Sequence, residues 1–118
     1  MNRKEYVDYI STKKIDDKLV KEIIDKYDFD LPEIVKLIVS NAKDTLFFDD
    51  EYRVLSFDEI IDAEKDLHVS FSEKKIIPLF DCGENDFIVY NSAEGIWSKF
   101  NIVDETFFKK KEKLSDLL

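Results

Sequence analysis

The chain has 118 residues, 44% of them hydrophobic and 38% charged, with only two glycines and two prolines. That is the length of one domain with apolar residues enough for a single core, and it excludes a disordered, collagen-like or linker sequence. A formal net charge of -9 argues against a nucleic-acid binder, because neutralising phosphates takes a surplus of Lys and Arg. A single cysteine, Cys82, excludes an intrachain disulfide and a thiolate zinc site. The first ten residues lack the apolar stretch of a signal peptide, and no run approaches the ~20 apolar residues of a membrane span, so the expected location is the cytoplasm.

Arg3 to Ile10 reads as a short helical turn with Tyr6, Tyr9 and Ile10 inward. Asp16 to Tyr27 carries Leu19, Val20, Ile23, Ile24 and Tyr27 at helical spacing, and Asp16 suits the N-cap. Asp30-Leu31-Pro32-Glu33 opens a second helix, since Pro is tolerated in a first turn and Glu favours the positive helix end. Ile34, Val35, Leu37, Ile38 and Val39 make that helix nearly all apolar, hence buried, and Ser40-Asn41 ends it. Thr45 to Phe48 and Tyr52 to Ser56 read as two short strands around Asp49-Asp50-Glu51. Phe47 and Phe48 are neighbours, so in a strand one of them must leave the core face. Ser56-Phe57-Asp58-Glu59 is a capping box, and the helix after it buries Phe57, Ile60, Ile61 and Leu67.

The most apolar stretch is Ile76 to Tyr90, where Ile76 to Phe80 and Phe87 to Tyr90 flank the polar Cys82-Gly83-Glu84-Asn85-Asp86. β-Branched and aromatic runs around Gly, Asn and Asp predict two strands and a tight turn. Asn91 to Gly95 is a second turn and Ile96 to Phe100 a third strand of this meander, in which Trp97 faces out or lies under a helix. Asp104 then caps a final helix with Phe107, Phe108, Leu114, Leu117 and Leu118 toward the sheet and Lys109, Lys110, Lys111 and Lys113 in solvent. Short turns between strands require antiparallel pairing. The reading is a single α+β domain over residues 1–118, an antiparallel sheet of about five strands with helices packed on it.

This order of elements resembles the SUKH superfamily, which includes fungal cell-wall-assembly regulators and many bacterial immunity proteins. The resemblance runs from Leu31-Pro32 through Tyr52-Arg53-Val54-Leu55-Ser56 with Glu59-Ile60. It continues through Ile76-Ile77-Pro78-Leu79-Phe80-Asp81 and Asp86-Phe87-Ile88-Val89-Tyr90-Asn91 to Trp97 and the end of the chain, about residues 16 to 118. The chain departs from the family where Asn41-Ala42 replaces the common Asn-Gly and where the sheet turn carries fewer glycines. The resemblance implies a non-enzymatic protein-binding module without a cofactor. Its bacterial form would be an immunity protein that binds and neutralises a cognate polymorphic toxin, often a basic nuclease. The alternative it implies is a regulatory module with an endogenous protein partner.

Asp49, Asp50 and Glu51 on one turn, with Asp58, Glu59 and Asp62 at a helix start, then form a candidate acidic surface for a basic toxin. The plainer reading is a solvated turn and carboxylates that favour the helix macrodipole. Their spacing is not that of a calcium loop. Glu84 and Asp86 lack the fixed geometry of an acid–base pair and extend the contact surface instead, with Trp97 as its candidate aromatic anchor. His68 and Cys82 would need adjacency and a third orienting group to act as a nucleophile pair, and they read as a helix-end His and a strand-end Cys.

Overall fold

The computed structural model describes residues 1–48 and 52–118. After a 3-10 turn at Arg3–Glu5, the helices are α1 (Tyr6–Ser11), α2 (Asp17–Tyr27), α3 (Glu33–Ser40), α4 (Phe57–Leu67) and α5 (Phe71–Lys74). The strands are β1 (Leu46–Phe47), β2 (Arg53–Val54), β3 (Ile76–Asp81), β4 (Asp86–Asn91), β5 (Ile96–Asn101) and β6 (Thr106–Lys111), with a second 3-10 turn at Leu114–Asp116. The six strands form one antiparallel meander in the order β1-β2-β3-β4-β5-β6. The α+β class stands, with one strand more than the sequence led us to expect.

Capping explains where the helices begin. Asp16 accepts hydrogen bonds from the backbone N–H of Lys18 and Leu19, and Ser56 and Glu59 form the reciprocal box at the start of α4. Left-handed residues end three of them, Asp28 after α2, His68 after α4 and Lys75 after α5. Pro32 precedes α3, four of whose eight residues are buried. In α1, Tyr6 and Ile10 point inward as anticipated, whereas Tyr9 is half turned out at 39% exposure.

Cross-strand partners share a face of the sheet, so the register shows what each face carries. Phe87 pairs with Phe100, and Phe100 with Phe107, while Ile88 pairs with Phe80 on the other face. The first face meets α5, where Phe71 packs edge-on against Phe100 at 6.2 Å between ring centroids. The opposite face meets α1, where Tyr6 packs edge-on against both Phe80 and Phe48 at 5.5 Å. The sheet is therefore covered on both sides, which is why the β3 and β4 sequences are continuous apolar runs rather than alternating ones. α2 joins these layers: it packs on α3 and α5, and its buried Tyr27 hydroxyl donates to the Ile60 carbonyl of α4 at 2.6 Å. Among the described residues no buried side-chain polar atom lacks a hydrogen-bond partner.

A proline inside a central strand needs a reason, because it cannot donate to the ladder. Here the β3–β4 register shifts between Pro78 and Phe80, and β2 pairs only with Phe80 and Asp81, so Pro78 sits at a bulge beyond the span of β2. The β3–β4 turn closes through three left-handed residues, Gly83 (φ 84°), Glu84 (φ 53°) and Asn85 (φ 69°). The Asp81 carboxylate accepts from the Gly83 N–H at 2.9 Å and steadies that turn.

The helix expected after Asp104 does not form. Asn101 accepts from the N–H groups of Val103 and Asp104, each at 3.0 Å, and this side-chain turn starts a hairpin instead of a cap. Thr106-Phe107-Phe108 continues as β6, where adjacent phenylalanines serve opposite faces. Of the lysines that read as a solvated helix face, Lys109, Lys110 and Lys111 lie on a sheet edge and Lys113 follows it. They guard it, since charge and a bulge both discourage pairing with another strand, and β6 has a register shift with Lys109 at φ 52°. Replacing Lys110 and Lys111 by Thr should give concentration-dependent self-association in sedimentation velocity. A double variant that sediments like the parent at every concentration would leave edge protection to the bulge alone.

Candidate functional site

The pairing of Arg53 with Asp81 across β2 and β3 brings the start of β2 beside the end of β3, and the α4 N-terminus folds over the same place. Arg53 donates to Glu59 at 2.8 Å and to Asp81 at 3.1 Å. The same Glu59 oxygen accepts from the Thr45 hydroxyl and the Ser56 N–H, both at 3.0 Å. One guanidinium thus ties β2, β3 and α4 together through a planar fork, which a lysine could not supply in that geometry. The other arginine is also used as a plane: the Arg3 guanidinium lies 3.9 Å from the centre of the Tyr52 ring. In a chain whose cations are otherwise lysines, the two arginines were the available signal for these positions.

Behind Arg53 lies a cavity of about 90 Å³ between α4 and the sheet. Asp66 and Leu67 line it from α4, and Asp81 and Phe87, cross-strand partners, line it from the sheet. Outside it, Phe47 pairs across the strand with Arg53 and is 69% exposed, while Phe48 is buried at 7%. The question of which phenylalanine leaves the core is thereby answered by the register: Leu46 shares the face of Val54, and Phe47 takes the other.

Among the described residues, the sequence-derived site residues divide into three groups. Asp58 is exposed and Asp62 half-buried, one turn apart on α4, and Glu84 is exposed on the β3–β4 turn. Glu59 and Asp86 are engaged within the fold, Glu59 by Arg53 and Asp86 by the Asn101 side-chain amide at 2.9 Å. Trp97 is buried, 4% exposed, edge-on to Tyr90 at 5.3 Å, and so belongs under the helices rather than outside. It lines a groove with Val7 of α1, Ile34 of α3 and Leu114 near the C-terminus, so its indole serves the core instead of an exposed contact. Asp49, Asp50 and Glu51 lie outside the described residues.

His68 is exposed at the end of α4, and Cys82 sits just past β3 among other groups. Tyr52 links that neighbourhood: its hydroxyl accepts from the Lys99 ammonium and lies close enough to the Cys82 thiol to favour its ionised form. Burial is the main cause that pushes the Cys82 thiol up to about 11, and the carboxylates of Asp81 and Asp86 act in the same sense against Lys99 and Tyr52. Among the described residues no group of three or more His, Cys, Asp or Glu is placed to hold a metal, and no helix is long and apolar enough to cross a membrane. Searches of protein-family models, of curated proteins and of solved structures found no significant match to this chain.

Two solution measurements follow from this geometry. With its pKa near 11, Cys82 in folded protein should be alkylated roughly a hundredfold more slowly at about pH 8 than an ordinary thiol, and at the ordinary rate in denaturant. Equal rates in the two conditions would show that the thiol is not shielded. For Glu59, burial alone would raise the pKa, but the hydrogen bonds from Arg53, Ser56 and Thr45 and the charge of Arg53 overcome it and hold the carboxyl at about 2. Its pKa is depressed on folding, so its contribution is full above the unfolded value near 4.5 and is lost as pH falls toward 2. Because the side chain is 37% exposed, solvent screening reduces that contribution to on the order of 1 kcal/mol. The parent should therefore be more stable than Glu59→Gln at neutral pH in urea unfolding, and the two should converge toward pH 2. Parallel pH curves would contradict the assignment.

Proposed function

We propose that this chain is a protein-binding module of the immunity type, which neutralises a cognate toxin by covering it. The SUKH resemblance supports the reading, and the observation that carries it is an exposed aromatic at the sheet edge of an acidic protein. Phe47 stands opposite Arg53, whose partner Glu59 lies in the first turn of α4, on a chain of net charge -9. Aromatic anchors supply contact area in protein interfaces, and opposite charge raises the association rate and rejects wrong partners. The mechanism is steric and electrostatic occlusion. Carboxylates meet the Lys and Arg side chains that a basic toxin uses to hold its own anionic substrate, and the bulk of the domain blocks access.

Co-expression with the products of neighbouring genes tests this. A neighbouring toxin should co-purify with the chain, lose its activity in the complex, and bind more weakly as salt rises. Phe47→Ala, and separately Asp58→Lys with Asp62→Lys, should weaken the complex while leaving the unfolding midpoint of the free chain nearly unchanged. The charge reversal Asp49→Lys, Asp50→Lys, Glu51→Lys should do the same. If no neighbouring product binds, or if a bound toxin stays active, the immunity reading is wrong; a solitary locus with an endogenous partner would point to a regulatory module.

A further inference from the structure

The cavity behind Arg53 is small, and its helix and sheet walls both mix apolar and acidic groups. Its volume of about 90 Å³ is well below the ~300–1,000 Å³ of sites that enclose small-molecule ligands, and suits one side chain. Three carboxylates, Glu59, Asp66 and Asp81, line it against the single guanidinium of Arg53. Glu59 and Asp81 are both held by Arg53, whereas Asp66 makes no hydrogen bond or ion pair among the described residues.

Asp66 is exposed, and among the described residues the fold supplies it no counter-charge. It stands in the last turn of α4, where the helix presents its negative end, and it faces the same cavity as Asp81. A carboxylate there gains nothing from the helix and raises the local negative potential, which an incoming cation would relieve. Leu67 on the helix and Phe87 on the sheet supply apolar surface for an aliphatic stem.

We propose that this cavity receives an arginine side chain of the protein partner, with Phe47 packing at the rim of the same interface. The inference rests on the reading of the chain as a module for a basic protein, and it names the centre of that contact. Arginine fits better than lysine because a planar, weakly hydrated guanidinium can face Asp66 and stack against Phe87 at once. Arg53 sets the geometry by holding Glu59 and Asp81 in place, and Asp66 is the carboxylate left for the guest.

An NMR titration of the full chain with the blocked tripeptide acetyl-Gly-Arg-Gly-amide tests this, with the citrulline peptide as its neutral counterpart. The arginine peptide should shift the amides of Asp66, Leu67 and Phe87 saturably, and the citrulline peptide should bind at least about tenfold more weakly. Asp66→Asn should weaken arginine-peptide binding by about as much while its thermal midpoint stays level or rises, since a helix-end charge is removed. A merely structural Asp66 would instead lower the midpoint. Equal response to both peptides, shifts elsewhere, or undiminished binding by Asp66→Asn would overturn the proposal. The titration needs no toxin, so its failure removes this cavity alone. A peptide that binds as described, alongside neighbouring gene products that do not, would remove the toxin reading alone.

Discussion

Burial of both faces of the β3–β4 hairpin is the constraint on which the other elements depend. Ile76 to Phe80 are buried without a break, and so are Phe87 to Val89, which an antiparallel sheet with one wet face would not allow. Covering one face takes α4 and α5; covering the other takes α1 and the groove where α3 and the C-terminal turn meet Trp97. The aromatic contacts fall where these layers meet. Tyr6 wedges between Phe48 and Phe80 on one side, and Phe71, Phe100 and Phe107 form a chain on the other. Such edge-on pairs add about 0.5–1.5 kcal/mol each beyond the area they bury.

The same arrangement limits what surface the sheet can offer. With both faces covered, what remains exposed is the sheet edges, the turns and the outer sides of the helices. The two edges are not alike. β6 is long, lysine-bearing and bulged, which keeps other strands away. β1 is two residues long and presents Phe47 beside the Arg53 clamp. An acidic chain with its most basic strand at one edge and its exposed aromatic at the other has an electrically distinct surface at each end of the sheet.

Arg53 couples this rim to the fold. Its two carboxylate partners belong to α4 and β3, so it helps to dock the helix on the sheet, and it also forms one wall of the cavity. A partly exposed ion pair contributes little stability by itself. Here its value is positional: it fixes Glu59 and Asp81, whereas Asp66 at the same cavity has no ion-pair partner among the described residues.

The local signals were legible in the sequence. Asp16, Pro32 and the Ser56–Glu59 box marked helix starts, and the paired apolar runs around Gly83 marked the central hairpin, because caps and tight turns are decided by residues within a few positions of one another. The last strand was not. Thr106 to Lys111 fits a polar-faced helix as well as an edge strand, and only pairing with β5 and the Asn101 turn decide between them. That Trp97 is buried, and that Phe47 rather than Phe48 leaves the core, was undecided for the same reason. Alternation along a strand says that neighbours face opposite ways, but which way is in depends on the register and on what covers each face. The acidic composition and the presence of carboxylates near α4 were likewise plain in the chain. That Glu59 is occupied by Arg53, while Asp66, unremarkable at its helix end, faces a cavity, was decided only when α4 settled across β2, β3 and β4. Such contacts join residues distant along the chain, and no local pattern encodes them.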